Sequence, residues 1–149
     1  MSDYTFNRQE AEEMLPWLSD LLKQAQDQKQ GADRIDDEIS SLASRISMTG
    51  GMTLPYRELA DKKIRKDRMV EKFHEFIEQI EEAGCIIKSL EQGLVDFPSV
   101  MSDEEVFLCW KLGEERILYW HGRSEGFTGR KPLDEPATDP TPPSSSRLN

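Results

Sequence analysis

The apolar pattern of this chain changes its period once, near Cys85. Before that residue, apolar side chains recur every three or four positions, as they do along one face of a helix. After it come short segments rich in branched and aromatic residues, separated by turn residues: "CIIK", "LVDF", "EVFLCWK" and "RILYWH". The change predicts an α+β fold in which a long antiparallel helical hairpin is followed by a small antiparallel β-sheet.

The sequence predicts where the first helix begins, because Asn7 followed by Glu10 fits a capping box. The apolar spacing then predicts one helix over about residues 8–47. Pro16 lies inside it and removes a backbone hydrogen bond, which favours a bend. Gly31 has low helical propensity, so the helix is expected to be least stable there.

A glycine-rich turn, "MTGGMTLP", separates the two helices. Pro55 suits the first turn of the second helix, which is predicted to run to about Ala83. Gly84 then stands where a residue of positive φ commonly ends a helix.

The second helix carries a cluster of basic residues that invites an RNA-binding or lipid-binding interpretation. An antiparallel hairpin that turns near residue 50 places Lys63 near Glu38, and Lys66 near residues 35–37, which include two aspartates. Basic side chains therefore face acidic ones. The register favours ion pairs between the helices, whose role is to fix the pairing rather than to supply much stability.

Charge and cysteine content exclude several classes of function. The chain has 29 acidic and 19 basic residues, a net charge of -10 and a pI near 4.7, which disfavours nucleic acid and anionic membranes as partners. No apolar run approaches the roughly 18 residues that cross a bilayer. Cys85 and Cys109 form no C-x-x-C pair and no charged-then-apolar leader precedes them, so we expect a reduced, cytoplasmic protein.

One helical pair has the spacing of a metal ligand set. Glu71 and His74 stand three residues apart, as in di-iron bundles, but such sites need two of these pairs and further glutamates. The chain has two histidines in all. We therefore expect no metal and no cofactor, and interpret His74 as a solvated side chain beside the helical seam.

Four stretches give the chain a resemblance to a known family: "QEAEEMLP", "CIIKSLEQGLVDFPS", "VFLCWKLGEERILYWH" and "GFTGRKPL". They resemble the bacterial family called domain of unknown function 2203, over about residues 4–133. The family pattern usually has Thr where this chain has Asn7, a change that preserves helix capping. The resemblance implies an uncharacterised small cytoplasmic protein with a helical first half and a compact end, and it brings no catalytic residue.

The organisation that we predict is a helical hairpin over residues 1–84, and a small β region over 85–133 that belongs to the same domain. The last stretch, residues 134–149, is dominated by proline and serine and has no apolar period. It is predicted to be a disordered tail.

Asp96, His121 and Arg130 are the candidate site residues near the compact end. Asp96 and His121 are candidates for proton transfer, and Arg130 is a candidate ligand for an anion. The same three could instead form a buried structural network in which Arg130 ties the last loop to Asp96. Both interpretations require the Asp96 carboxylate to lie within a few ångströms of His121 or Arg130. Cys109 alternates with apolar residues and is interpreted as a packed thiol.

Two functions from different classes follow. The favoured one is a non-enzymatic module that self-associates, most simply as a homodimer, or binds an unidentified protein partner. The alternative is a small enzyme or anionic-ligand-binding protein that uses the three candidate residues. The predicted interface consists of apolar residues at the margin of the helical stripe or away from it: Tyr56, Ile64, Met69 and Phe76. These could also rest under the stems of neighbouring lysines and arginines, which would leave a monomer.

Overall fold

The computed structural model describes residues 5–48, 56–123 and 129–133. Two long helices are followed by a five-stranded antiparallel sheet, which confirms the predicted fold class. The elements in chain order are α1 (Arg8–Met48), α2 (Tyr56–Glu82), β1 (Ile86–Ser89), β2 (Leu94–Met101), β3 (Glu104–Lys111), β4 (Tyr119–Gly122) and β5 (Lys131–Pro132). The predicted interhelical turn and the predicted C-terminal tail lie almost wholly outside the described residues.

The predicted capping box begins α1. The Glu10 backbone N–H donates to Asn7 Oδ1 at 2.8 Å, and the Asn7 N–H donates to Glu10 Oε1 at 2.9 Å. The helix runs without interruption through Pro16 and Gly31. Gly31 is a point of close packing, because a Cβ added there would lie 2.9 Å from the sulfur of Met69 on α2.

The end of α2 also follows its sequence signal. Gly84 has φ 101°, and the N–H groups of Gly84 and Cys85 donate to the carbonyls of Glu81 and Ile80. This pair of bonds satisfies carbonyl groups that the last helical turn leaves open. The helix ends at Glu82, one residue before the predicted end.

The chain divides into two compact units. The hairpin unit consists of residues 23–78, and the sheet unit consists of residues 1–22 together with 79–149, in each case as far as the structure describes them. Each helix therefore contributes one part to each unit.

Ion pairs fix the register of the hairpin unit. Lys62 Nζ lies 2.7 Å from Glu38 Oε1, and Lys66 Nζ lies 2.8 Å from Asp36 Oδ1. The predicted pairing near Lys66 is confirmed, but the partner of Glu38 is Lys62, whereas Lys63 is exposed. Neighbouring residues of a helix point about 100° apart, so only one of Lys62 and Lys63 can face α1, and the position of the interhelical turn does not by itself decide which.

In the sheet unit, the strands pair in chain order from β1 to β5. The β2–β3 hairpin closes through a two-residue turn at Ser102 and Asp103, with φ of 51° and 66°. The predicted segment "LVDF" ends at Phe97, before Pro98, but β2 continues through the proline to Met101. The proline is tolerated because β1 pairs with β2 only as far as Asp96, which leaves Pro98 with an uncovered side.

The start of the chain occupies that uncovered side of β2. The Phe6 N–H donates to the Pro98 carbonyl at 2.7 Å, and Ser99 Oγ donates to the Phe6 carbonyl at 2.6 Å. The Phe6 ring meets Phe97 edge to face, with centroids 5.2 Å apart. Among the buried side chains on this face of the sheet are Val95 and Phe97 of β2 and Leu108 and Trp110 of β3.

Glu12 joins α1 to the loop that precedes β4. Its carboxylate accepts a hydrogen bond from the Ile117 N–H at 2.9 Å and lies 3.5 Å from Arg116 Nε. The Ile117 side chain is fully buried. Within the described ranges, no helix combines the length and the hydropathy that a membrane span requires.

Gly93→Ala is expected to destabilise the protein strongly, because Gly93 has φ 71° and a Cβ there would lie 2.5 Å from the Leu112 Cβ. Gly113→Ala is the matched control, since its φ is 107° but no atom lies within 4 Å of the added Cβ. Backbone strain is common to both, so the Gly93 change should lower the free energy of unfolding by about 1–3 kcal/mol more than the control. Urea unfolding of the two variants measures the difference, and equal losses would contradict the packing argument.

Candidate functional site

The second face of the sheet carries a buried polar cluster made of Asp96, Cys109 and His121. Asp96 on β2 stands directly opposite Cys109 on β3, and His121 on β4 stands opposite Phe107, two residues along β3 from Cys109. Side chains two residues apart on a strand share a face, so all three project from the same side. They are only 3%, 1% and 3% exposed, respectively.

The Asp96 and His121 side chains meet across β3. His121 Nε2 lies 3.0 Å from Asp96 Oδ2, and the Nδ1–H donates to the Gly122 carbonyl at 2.9 Å. The predicted proximity of the two residues is thereby confirmed. Because Nδ1 carries a hydrogen, a neutral imidazole ring would turn a lone pair of Nε2 towards a lone pair of the carboxylate. A proton must therefore lie between Nε2 and Oδ2.

Burial controls the electrostatics of the polar cluster. It raises the pKa of Asp96, an effect opposed in part by the hydrogen bond and the charge of His121. Burial, reinforced by the Asp96 charge, also raises the pKa of Cys109 to about 11, although a hydrogen bond from Arg130 acts in the opposite direction. Cys109 is therefore a neutral thiol near pH 7.

Arg130 reaches the polar cluster through Cys109 and is held by Glu114. Its Nη1 donates to Glu114 Oε2 at 3.4 Å, and the guanidinium carbon lies 3.9 Å from the centre of the Tyr119 ring. Glu114 is itself fixed, because its Oε1 accepts the Lys111 N–H at 2.9 Å. The three predicted site residues thus lie in one connected group, and Cys109 is the link between the Asp96–His121 pair and Arg130.

Sequence reasoning gave Cys109 a packing role and missed this position. Among the residues described, Asp96, Cys109 and His121 form a group of metal-ligating side chains whose ligand atoms all lie within 4.8 Å of one another. The sequence did contain a signal that Asp96 and Cys109 would lie side by side. The two-residue turn at Ser102–Asp103 makes residues equally distant from it face each other, and Asp96 and Cys109 are such a pair.

The remaining candidates lie in the hairpin unit. His74 is exposed. Tyr56 and Ile64 are 66% and 49% exposed, respectively, whereas Met69 and Phe76 are half-buried. The close approach to Gly31 places Met69 in the contact between the two helices of the chain.

A separate open cavity of about 590 Å³ borders Trp120 and the β2–β3 turn. Its charged lining residues have opposite signs and partly pair, since Arg123 Nε lies 3.5 Å from Glu105 Oε1. Lys131 Nζ lies 4.5 Å from the centre of the Trp120 ring. None of the three polar-cluster residues lines this cavity.

Comparison with known proteins gives a family but no assigned activity. A family model described as an uncharacterized conserved protein, DUF2203, matches residues 4–133. No curated protein and no solved structure matches the chain.

Neither native cysteine is expected to react with a thiol reagent such as Ellman's reagent at neutral pH. Burial raises the pKa of Cys85 to about 12 and that of Cys109 to about 11, and the thiolate is the reactive form. The unfolded chain should release two equivalents of chromophore, one from each of Cys85 and Cys109. Val100→Cys is the positive control, because Val100 is 50% exposed and a thiol there should react at once. Rapid reaction of one native equivalent would indicate an activated cysteine instead.

Proposed function

We propose that this chain, which belongs to the DUF2203 family, acts as a non-enzymatic self-associating module, most simply a homodimer. The observation that carries the proposal is the exposure of Tyr56 and Ile64 on the hairpin unit, at 66% and 49%, respectively. Burial of an isoleucine side chain contributes about 1.5–3 kcal/mol, so exposed apolar side chains on a helical face provide a driving force for association.

The packing of the hairpin unit supports the same conclusion. Two helices make one contact, and many apolar side chains of the seam remain only half-buried: Ile39, Ile46, Leu59, Val70, Phe73, Phe76 and Ile77. A second hairpin would cover them and form a four-helix bundle with coiled-coil packing. Because Met69 packs at Gly31, the proposed interface is centred on Tyr56 and Ile64, with Phe76 at its margin.

Charge complementarity favours a second copy of this chain as the occupant. The α1 helix carries an acidic cluster (Asp33, Asp36, Asp37, Glu38), and α2 carries a basic cluster (Lys62, Lys63, Arg65, Lys66, Arg68); Glu38 and Asp36 pair with Lys62 and Lys66 within the chain. A twofold partner in antiparallel orientation would set the remaining exposed charges of each cluster, such as Asp37 and Lys63, near opposite charges of the other chain. The hairpin surface therefore offers both signs of charge to a second copy, and the basic cluster has acidic partners that compete with nucleic acid or lipid.

The enzyme alternative has less support. It needs an open cleft at which Asp96, His121 and Arg130 converge on a ligand, but the first two are almost fully buried and contact each other. Arg130 has a carboxylate partner in Glu114. These contacts favour a structural network. A cytoplasmic location is part of the proposal and rests on the two free, buried cysteines.

Light scattering at micromolar concentration tests the proposed assembly. The expected mass is near twice 17.2 kDa, and Ile64→Glu should lower it towards the mass of one chain, because the charge would be buried in the interface. Val100→Glu is the matched control, since Val100 is 50% exposed but belongs to the sheet unit, and the dimer should survive this change.

A mass near 17.2 kDa for the unmodified chain, unaffected by Ile64→Glu, would rule the dimer out. A dimer that dissociates with Val100→Glu and persists with Ile64→Glu would place the interface on the sheet unit and contradict the hairpin assignment.

A further inference from the structure

We propose that Asp96, Cys109 and His121 form a closed binding site for a zinc ion, or for another borderline divalent metal ion of similar size. This inference is independent of self-association and concerns the sheet unit alone. Its basis is the presence of three different metal-ligating groups on one sheet face, all buried and all within 4.8 Å of one another.

The donor atoms suit the metal in kind and in spacing. Zinc binds thiolate at about 2.3 Å and imidazole nitrogen or carboxylate oxygen at about 2.0–2.2 Å, which sets neighbouring ligand atoms roughly 3–4 Å apart. His121 Nε2 and Asp96 Oδ2 are already 3.0 Å apart. Bringing Cys109 Sγ to the same centre requires side-chain shifts of about 1 Å at most, given the 4.8 Å limit.

The orientation of His121 is that of a metal ligand. Its Nδ1–H donates to the backbone carbonyl of Gly122 at 2.9 Å, which fixes the ring and directs the lone pair of Nε2 towards Asp96. Histidines that bind metals are commonly held in this way by a carbonyl or carboxylate on the other ring nitrogen. The facing lone pairs of Nε2 and Oδ2 need an acceptor, which can be a proton between the two atoms or a metal ion bound to both.

Charge balance permits a divalent ion in so buried a place. A Zn²⁺ ion displaces the thiol proton of Cys109 and the proton shared by Asp96 and His121, and both protons pass to water. The resulting thiolate, carboxylate and neutral imidazole sum to two negative charges, which the ion cancels. Arg130 adds no net charge because it is paired with Glu114.

The burial predicts a structural rather than a catalytic ion. Catalytic zinc keeps a position open to water or substrate, whereas structural zinc is enclosed by protein. Three side chains supply four donor atoms if Asp96 binds through both of its oxygens. An enclosed ion would tie β2, β3 and β4 together at one point.

The experiment titrates the full-length chain with Co²⁺ and Zn²⁺ after refolding from guanidinium and chelator, because a closed site exchanges metal slowly. We expect one equivalent of Co²⁺ to bind per chain and to give thiolate-to-cobalt charge-transfer absorption. Zn²⁺ should displace the Co²⁺ and raise the thermal unfolding midpoint by several degrees. The natively purified protein, prepared without a metal-affinity tag, should contain zinc by elemental analysis.

The chain offers a matched control for two of the ligands. It has two cysteines and two histidines, and one of each lies outside the polar cluster. Cys109→Ser should abolish the charge-transfer absorption while Cys85→Ser retains it. His121→Gln should weaken binding by about 100-fold or more while His74→Gln leaves it unchanged, since even residues that only orient a ligand contribute about 10- to 100-fold.

The titration still tests the metal site if the Cys109 or His121 variant fails to fold. The wild-type cobalt spectrum reports whether a thiolate is a ligand, and retention of the absorption by Cys85→Ser assigns that thiolate to Cys109. Absence of stoichiometric metal and of thiolate absorption in the refolded wild type would overturn the site and leave the Asp96–His121 pair linked by a proton. Absorption that survives Cys109→Ser would also overturn it.

Discussion

The sheet unit depends on β3 being buried around Cys109 as well as along its core face. Val106, Leu108 and Trp110 point into the apolar core, while Cys109, on the opposite face, is equally inaccessible. Asp96 lies opposite Cys109 and is itself only 3% exposed, so its carboxylate must find its partner within the protein. His121 is that partner, and the need to satisfy a buried carboxylate links three strands through side chains as well as through the backbone.

The structural features that could be predicted from the sequence are those set by a few neighbouring residues. The start of α1, the end of α2 and the position of the interhelical pairing were all predictable, because capping, positive φ and helical spacing act over a few residues. The shift from Lys63 to Lys62 shows where this precision stops: one position in the seam depends on how the helices wind around each other. Strand β5 was missed because two residues are too few to show a period.

The candidate site was predictable in its members but not in its connections. Asp96 and His121 were expected to approach each other near the compact end, and the contact forms across a whole strand, because β2 continues beyond Asp96. What brings them together is the pairing register, which places Cys109 between them. Register depends on tertiary packing and turn geometry, and a reading based on residue types alone assigned Cys109 to packing.

The docking of Phe6 on Pro98 and Ser99 has a consequence for how the molecule folds. The sheet unit is built from two stretches of chain, one ending at residue 22 and the other resuming at residue 79, and the Ser99–Phe6 bond joins residues 93 positions apart. Closing so long a loop in a flexible chain lowers its conformational entropy, and this cost arises before the sheet contacts that offset it have formed. Helices that form early shorten the effective loop, because a rigid rod has few conformations to lose. We therefore expect helix formation to precede completion of the sheet, so the order of assembly follows the order of the elements along the chain.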